Sequence, residues 1–576
     1  MCVYKIPAHN LFLLMVDQVA EYLDKLKQIQ CILHDLFDND SPDENDYDDL
    51  FEIIRSSKFN EDPHKIKLFL YLFSKITKNH HRNHNFNQTI ERIIYYFAKD
   101  IKNLCSNSDI FDIFKNNKLI LLFLFKEKII MPNNEIYLKI AQKKYLERKY
   151  PQYFFTEFQS FLNDMEEKPE LNEKYEENRF IGENDLYICR LIRNDFIEEF
   201  ISHVNKTNMD LRSRINPSIF ETNTFLLKNK SISLIQYATF FGSIQIFQYL
   251  RMNDVELEPS LWIFAIHSNN AELIHLLEEY HVEPPSSSYE KCFAESIKCH
   301  HNEISNYISN VSLNGKYESC FSEGLYKLIF RYHNYYHFPN NLNQSFVFYF
   351  LFQYDYYFFV DLLLQANKEL LNVDFGAFTI TKKNEDMVDL LLSQSGKEIK
   401  PSMFKYSDNI KQITIPSFIQ SIGFKSFYRC TSLTTLVIPS SVTSIDDYAF
   451  SRCSSLQHIS IPTSIKAISN CCFEFCLSLQ EISLPPSIES IGSMAFQCCS
   501  RLRKVSLPSS LLSIGTCAFY SCYFLEIINI PKSVKYIGYD AFGGIKLYRG
   551  PSPNEEKNKI KGKHSGNMKK SKCNIC

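Results

Sequence analysis

The sequence predicts a repeat protein in which an α-helical solenoid is followed by an α/β, strand-rich solenoid. Three observations indicate this fold class. A 23-residue pattern recurs six times without a gap from residue 415 onward. Short helical segments occur in pairs, joined by Asn-rich turns, between residues 180 and 398. The 576 residues include 48 Phe and 34 Tyr but only 15 Gly, which favours packed helices over Gly-rich phosphate loops.

The overall composition is that of a folded protein without a strong charge bias. Hydrophobic residues make up 45% of the chain, which is enough to bury a sizeable core. The 63 basic and 66 acidic side chains leave a net charge of −3, so the chain lacks the global positive field of a nucleic-acid-binding protein. We therefore expect no nucleic-acid partner.

The N-terminal region, residues 1–175, is predicted to be helical because apolar residues such as Phe51 and Ile54 recur at helical spacing. No repeat can be aligned there, so a helical bundle and further degenerate helix pairs are both compatible with the pattern. The acidic stretch 35–52 is predicted to be a solvated loop.

No segment has the pattern of a signal peptide or a membrane span. The apolar run at 11–16 is followed at once by Asp17, whereas a signal peptide needs about 7–15 apolar residues after a basic start. The segments 119–125 and 346–364 are too short or too interrupted by charge for a span of about 20 residues, so both are predicted to be buried helix. These patterns predict a cytoplasmic protein, with membrane association or the cell surface as the alternative.

The helix pairs between residues 180 and 398 share one local pattern. The segment SLIQYATFFGSIQIFQYL (233–250) carries Ala238 and Gly242, small residues that let two helices pack, and Ala265 follows 27 residues after Ala238. Similar pairs begin near Cys189, Ser296, Leu351 and Thr379. The pattern resembles a divergent ankyrin-like repeat domain of the kind found in large anaerobic-protist families, with trimmed or expanded loops. The resemblance implies an α-helical solenoid and no established activity.

The 23-residue repeat keeps proline, phenylalanine, cysteine and leucine at fixed positions. One copy cannot bury its apolar residues alone, whereas stacked copies form a continuous core. Within the segment LQHISIP (456–462), Ile459 and Ile461 alternate with His458 and Ser460, which predicts a short strand that ends at a proline. The recurring residues are Pro416, Pro439, Pro462, Pro485, Pro508 and Pro531; Phe427, Phe450, Phe473, Phe496, Phe519 and Phe542; Cys430, Cys453, Cys476, Cys499 and Cys522; and Leu433, Leu456, Leu479, Leu502 and Leu525.

The repeat resembles the BspA-type leucine-rich repeat family, as the segment IPSSVTSIDDYAFSRCSSLQHISIP (438–462) illustrates. The resemblance covers residues 415–544, and we assign the domain to 410–549. It implies an interaction surface and no catalysis. Some members of the family are surface antigens or adhesins of bacteria and anaerobic protists.

The recurring cysteine falls at the same level of every coil. It is compatible with a small buried apolar residue and with a ladder of disulfides or metal ligands. The reduced compartment implied by the N-terminal pattern favours packing, because disulfides are rare there.

The search for chemistry finds no common catalytic motif. Phosphate-loop, dinucleotide-binding, zincin and nucleophile-elbow strings do not occur. We therefore predict a chain that is not an enzyme, with no catalytic residue, no cofactor and no metal, because zinc sites usually combine two ligand pairs and none can be matched. The groups considered for metal are His80, His81 and His84; Cys31 and His34; and Cys299, His300 and His301.

The C-terminal tail, 551–576, is rich in Lys, Asn and Ser and is predicted to be disordered. It ends in Cys573-Asn574-Ile575-Cys576, a C-a-a-X shape preceded by seven lysines between 557 and 572. A prenyl chain together with a basic stretch anchors a protein to membranes, but Cys576 is not among the usual X residues. Prenylation at Cys573 and a plain basic tail both stay open, and a membrane partner is expected only in the first case.

The strongest functional candidate is a row of solvent-facing strand positions in the leucine-rich block. The core positions of the repeat are nearly constant, whereas these positions change chemistry from coil to coil. A recognition surface would show this variation, and so would an unconstrained surface. We predict a non-catalytic protein–protein interaction scaffold with an unknown protein partner, or alternatively a surface or membrane-associated BspA-like antigen or adhesin-type protein. The predicted strip consists of Thr435, His458, Glu481, Lys504 and Ile527, with Arg503 beside it.

Overall fold

The computed structural model describes most of the chain and divides into two compact units. The first unit is Leu13–Leu342, and the second joins Asn343–Cys576 with Met1–Phe12. The described residues are 8–39, 41–79, 85–141, 150–161, 171, 173–229, 231–312, 323–339, 345–367, 370–371, 385–408, 410–525 and 529–545.

The N-terminal region is helical, as predicted. Helix α6 is buried at every position from Lys118 to Phe125, which confirms that the apolar run 119–125 is a core helix. The helices of this region are α1 (Ala8–Asp38), α2 (Glu44–Ser56), α3 (Pro63–Asn79), α4 (Phe86–Leu104), α5 (Asn107–Phe114), α6 (Lys118–Lys126), α7 (Asn134–Ala141) and α8 (Tyr150–Tyr153).

The prediction of a solvated loop over residues 35–52 is wrong. Helix α1 continues to Asp38, and helix α2 already begins at Glu44. The side chain of Asp43 accepts a hydrogen bond from the backbone N–H of Asp46, whose own side chain accepts one from the backbone of Asp43. Carboxylates at a helix N-terminus cap free N–H groups and complement the helix dipole, so acidic residues start this helix.

The predicted helix pairs near Cys189, Ser296 and Leu351 are present as short helical hairpins, whereas the pair near Thr379 begins outside the described residues. The first helices of successive hairpins pack against each other, α10 on α13, α13 on α15 and α15 on α17. The ankyrin resemblance itself stays a prediction. The remaining helices of the first unit are α9 (Glu173–Ile181), α10 (Tyr187–Arg193), α11 (Ile197–Thr207), α12 (Thr224–Lys228), α13 (Leu234–Phe241), α14 (Ile244–Met252), α15 (Leu261–Ser268), α16 (Ala271–Glu279), α17 (Glu290–Cys299), α18 (Asn302–Ser312) and α19 (Glu323–Tyr332), and strands β1 (Arg214–Ile215) and β2 (Ile232–Ser233) pair antiparallel.

The turn inside each hairpin explains the Asn- and His-rich sequence there. The linking residue adopts a left-handed backbone, which Gly, Asn, Asp and His tolerate better than most residues. The next residue often bonds back to the preceding hairpin: His301 Nδ1 lies 2.7 Å from the Ile266 carbonyl oxygen, and Asn334 Nδ2 donates to that of Ile297. The linking residues are Asp195, Gly242, Asn269, His300 and His333, with φ between 50° and 73°.

The N-terminal helices pack on this row of turns. Gln30 of α1 is buried and donates from Nε2 to Asn334 Oδ1 at 3.0 Å, while its Oε1 accepts from the backbone N–H of Tyr335 at 2.8 Å. Asn79, at the end of α3, donates to the Lys298 carbonyl oxygen at 3.0 Å. These buried amides join the N-terminal region and the hairpins into one unit.

The second unit begins with helices α20 (Ser345–Gln353), α21 (Tyr357–Ala366) and α22 (Glu385–Gln394). The apolar segment 346–364 is therefore two buried helices with a break near Asp355, whose φ is 66°. Among the described residues, no helix combines the length and the apolar character needed to cross a membrane.

The leucine-rich block is a solenoid with two rows of parallel strands, called the first and the second ladder, and each row consists of two hydrogen-bonded sheets. Partner residues in both ladders are separated by one 23-residue repeat, as in Thr435 beside His458 and Ser490 beside Ser513. The strands of the first ladder have three residues: β4 (Gln412–Thr414), β6 (Thr435–Val437), β8 (His458–Ser460), β10 (Glu481–Ser483) and β12 (Lys504–Ser506). The strands of the second have two: β3 (Glu398–Ile399), β5 (Ser421–Ile422), β7 (Ser444–Ile445), β9 (Ala467–Ile468), β11 (Ser490–Ile491), β13 (Ser513–Ile514) and β14 (Tyr536–Ile537).

The recurring phenylalanine forms a continuous aromatic stack through the solenoid. Successive ring centroids lie 5.2–5.6 Å apart, with ring planes within 18° of parallel. The stack begins at Phe404, one coil before the first phenylalanine of the sequence repeat, and ends at Phe542. The positions one repeat before Pro416 and Cys430 are Ser393 and Ser407, so the coil of Phe404 is hard to find in the sequence alone.

Candidate interaction surface

The strands of the first ladder present their side chains alternately to the core and to solvent. In β10, Ile482 is buried while Glu481 and Ser483 are exposed, and β12 repeats this arrangement with Val505 between Lys504 and Ser506. The two strands are hydrogen-bonded neighbours, with Glu481 directly opposite Lys504. A parallel ladder in this register brings one residue of every coil into the same exposed row.

The recurring cysteines of the solenoid act as thiol hydrogen-bond donors. Each recurring cysteine is buried, and burial raises the pKa of Cys453 to about 12, so its sulfur keeps the proton. The fourteen cysteines among the described residues are free thiols, which agrees with packing rather than a disulfide ladder. Each thiol donates to the carbonyl oxygen of the phenylalanine one coil earlier, at 3.0–3.3 Å: Cys430 to Phe404, Cys453 to Phe427, Cys476 to Phe450, Cys499 to Phe473 and Cys522 to Phe496.

The recurring serine after the proline makes a second ladder between coils. Its hydroxyl donates to a carbonyl oxygen of the preceding coil, which fixes the spacing of the coils from another side. The bonds run from Ser464 to Val442, Ser487 to Ile465, Ser510 to Ile488 and Ser533 to Leu511. The repeat signature is thus a set of inter-coil hydrogen bonds and stacked rings that hold the exposed rows rigid.

The structure places most of the predicted strip in register. His458, Glu481 and Lys504 are exposed along the first ladder, and Arg503 lies beside Lys504. Thr435 is only partly exposed, and its hydroxyl accepts from Gln412 Nε2 at 3.2 Å. Ile527 and the C-terminal Cys573 lie outside the described residues.

A cleft next to the strip was not predicted. It is lined by Gln480, Arg501, Arg503 and Phe524, and the Phe524 ring is 57% exposed. No ion pair or hydrogen bond holds the guanidinium of either arginine within the described part of the chain. The sequence contains a signal for this cleft. Arg501 and Phe524 occupy the same position of successive repeats, and three earlier repeats have serine at that position, Ser432, Ser455 and Ser478.

The groups considered for metal are only partly brought together. Cys31 and His34 lie on α1, and the His34 ring centroid is 6.0 Å from that of His300. His300 and His301 belong to the hairpin turn described above, where their nitrogens lie near carbonyl oxygens of other hairpins. The cluster His80, His81 and His84 lies outside the described residues.

Comparison with known proteins identifies the block that carries this surface. The BspA type leucine rich repeat region matches six copies over residues 374–476, 397–525 and 443–558. The C-terminal block belongs to the BspA-type leucine-rich repeat family.

Solved leucine-rich repeat structures are similar in sequence to part of this chain. A protein from Eubacterium ventriosum is 30% identical with a TM-score of 0.26, and the match covers 27% of this chain and 42% of that one. A T. pallidum leucine-rich repeat protein is 32% identical with a TM-score of 0.25, over 26% of this chain and 69% of that one. A leucine-rich cell surface protein from Faecalibacterium prausnitzii is 30% identical with a TM-score of 0.19, over 23% of this chain and 32% of that one. No curated protein sequence matches.

Proposed function

We propose that the chain is a non-catalytic protein–protein interaction scaffold whose leucine-rich sheet face binds an acidic segment of a partner protein. The observation that carries this proposal is the cleft of Arg501, Arg503 and Phe524 beside Lys504. Cations that make no ion pair within the described part of the chain attract an acidic partner and raise its association rate. An exposed aromatic ring beside them offers the kind of anchor on which protein interfaces rely.

The charges along the strip indicate which coils the proposed partner contacts. Glu481 in β10 is acidic, whereas Arg503 and Lys504, one coil later, are cationic. An acidic segment is therefore attracted by the coil of Lys504 and repelled at Glu481. We expect it to lie along the C-terminal coils rather than across the whole sheet.

The helical hairpins supply a second candidate surface for the scaffold. Tyr187 and Phe196 are about half exposed, at 47% and 50%, and Met252 is 73% exposed. All three lie at ends of hairpin helices, where solenoids of helix pairs commonly contact partners. We assign these exposed side chains to protein binding, in keeping with the ankyrin-like resemblance of the helix pairs.

The proposal is tested by selecting ligands for the full chain from a displayed library of random peptides. We expect the selected peptides to be rich in Asp and Glu, and the double charge reversal Arg503→Glu with Lys504→Glu to weaken their binding about tenfold or more. The matched control reverses two exposed lysines outside the first ladder, Lys466→Glu with Lys535→Glu. Equal losses in both variants, or selected peptides without acidic residues, would contradict the proposed surface.

The second candidate function is a surface or membrane-associated recognition protein. It is favoured by one observation, the seven lysines that precede Cys573 in the C-a-a-X-like tail. The intact mass of the C-terminal peptide from the native cell separates the two candidates. An unmodified Cys573 removes the reason to place the chain at a membrane.

A further inference from the structure

A compact group of metal-ligating side chains lies between two packed helices of the first unit. His267 Nε2 is 3.1 Å from Glu295 Oε1, and Cys299 Sγ is 3.5 Å and 3.7 Å from the two ring nitrogens of His267. One ligand atom from each residue lies within 4.8 Å of the others. His267 and Cys299 are buried, at 2% and 0% exposure, and the Glu295 side chain is 17% exposed.

The hairpin repeat creates this cluster. His267 lies in the last turn of α15, two residues before the linking residue Asn269, and Cys299 ends α17, one residue before the linking residue His300. Glu295 lies four residues before Cys299, which places both on the same face of α17. Because α15 packs on α17, the last turns of these neighbouring helices meet and form a nitrogen, oxygen and sulfur donor set.

From this geometry we propose that His267, Glu295 and Cys299 bind one Zn²⁺ ion. With zinc–ligand bonds of about 2.0–2.3 Å, the ligand atoms of a tetrahedral site lie about 3.3–3.8 Å apart. From His267 Nε2, Glu295 Oε1 lies at 3.1 Å and Cys299 Sγ at 3.7 Å, close to these edges, and the three donor atoms all lie within 4.8 Å of one another. Zinc is the metal that a mixed thiolate, imidazole and carboxylate set favours, and the fourth position is left to water or another small ligand.

The surroundings support a metal site. Lys298 Nζ donates to Glu295 Oε2 at 2.6 Å, which leaves Oε1 directed at His267 and orients the carboxylate from outside the site. The Phe225 ring stacks on the imidazole with centroids 3.9 Å apart, and this contact fixes the ring plane. The partly exposed Glu295 gives an ion a route to the two buried ligands.

A reactive thiol is the main alternative for the same residues. Cys299 contacts His267, which contacts Glu295, and a nucleophile, a base and an orienting carboxylate are arranged in the same way in cysteine enzymes. The structure disfavours it. Cys299 is fully buried, so no substrate reaches its sulfur. Nucleophilic cysteines need an accessible sulfur.

The test is titration of the full chain with Co²⁺, a spectroscopic substitute for zinc, in a Cys573→Ser, Cys576→Ser background that removes the tail thiols. We expect saturation at one ion per chain, a thiolate-to-cobalt charge-transfer band, and displacement of the cobalt by Zn²⁺. The band should be lost in Cys299→Ser and kept in Cys292→Ser, a matched variant of another buried cysteine on α17.

Binding strength gives the second readout. Zn²⁺ affinity in a competition assay should fall at least about 100-fold in Cys299→Ser and in Glu295→Gln, since each change removes one of three ligands. Circular dichroism establishes that each variant is folded, and Glu295→Gln decides the question if Cys299→Ser is not. Absence of saturable binding, or equal binding by the Cys299→Ser and Cys292→Ser variants, would overturn the proposal.

Discussion

The buried imidazole of His337 is held neutral by its surroundings. His337 is 7% exposed, and its Nε2 lies 3.0 Å from the Ser305 hydroxyl oxygen. Burial lowers the pKa of His337 from 6.5 to about 4, because the charged imidazolium would lose its hydration. The unfolded chain therefore takes up a proton at this residue before the folded chain does.

This linkage predicts an acid-sensitive helical unit. As pH falls from about 6.5 to 4, protonation of unfolded His337 removes up to about 3 kcal/mol from the free energy of unfolding. We expect His337→Gln to reduce this loss, measured by urea unfolding of the full chain at several pH values. His275→Gln, which changes an exposed histidine, is the control. The same pH slope in wild type and His337→Gln would contradict the assigned role.

At the scale of a single coil, the phenylalanine stack is the main apolar element of the solenoid. Phe473 is fully buried, and its ring lies between those of Phe450 and Phe496, at 5.6 and 5.4 Å. Aromatic pairs add about 0.5–1.5 kcal/mol to the free energy gained from burial. A central ring thus stabilises its own coil and both neighbours.

We predict that Phe473→Ala lowers the free energy of unfolding by about 3–5 kcal/mol, because it leaves a cavity in the middle of the stack. Chemical unfolding of the full chain measures this loss. Tyr539→Ala, which truncates a side chain that is 79% exposed on the same solenoid, should change it by no more than about 0.5 kcal/mol. Similar effects of the two substitutions would show that the stack contributes little.

How far the sequence predicts these elements depends on the range of the contacts. The 23-residue period predicts the ladders, the buried Phe and Cys columns and the exposed row, because each coil repeats the same local contacts. The period does not predict the cleft, because Phe524 occupies a repeat position at which three earlier coils have serine. The cluster of His267 and Cys299 depends on which faces of α15 and α17 meet, and helical periodicity within either helix cannot specify that.

At the scale of the whole molecule, each repeat region buries its core between neighbouring repeats. Such solenoids keep their exposed rows in register over several coils, which suits them to binding extended partner segments. The leucine-rich block places its variable residues on the first ladder. Its recurring Phe, Cys and Ser residues make the contacts between successive coils. We therefore expect partner proteins to bind the solvent-facing residues of the first ladder.

Site-specific photo-cross-linking of the full chain in its native cell tests this claim most directly. A benzophenone amino acid is placed at Ser483 or Ser506, exposed on the first ladder, and at Thr443 or Glu489, exposed beside the second. We predict that both first-ladder positions cross-link the same partner protein and that the two control positions do not. Adducts from Thr443 and Glu489 together with none from Ser483 and Ser506 would contradict the claim.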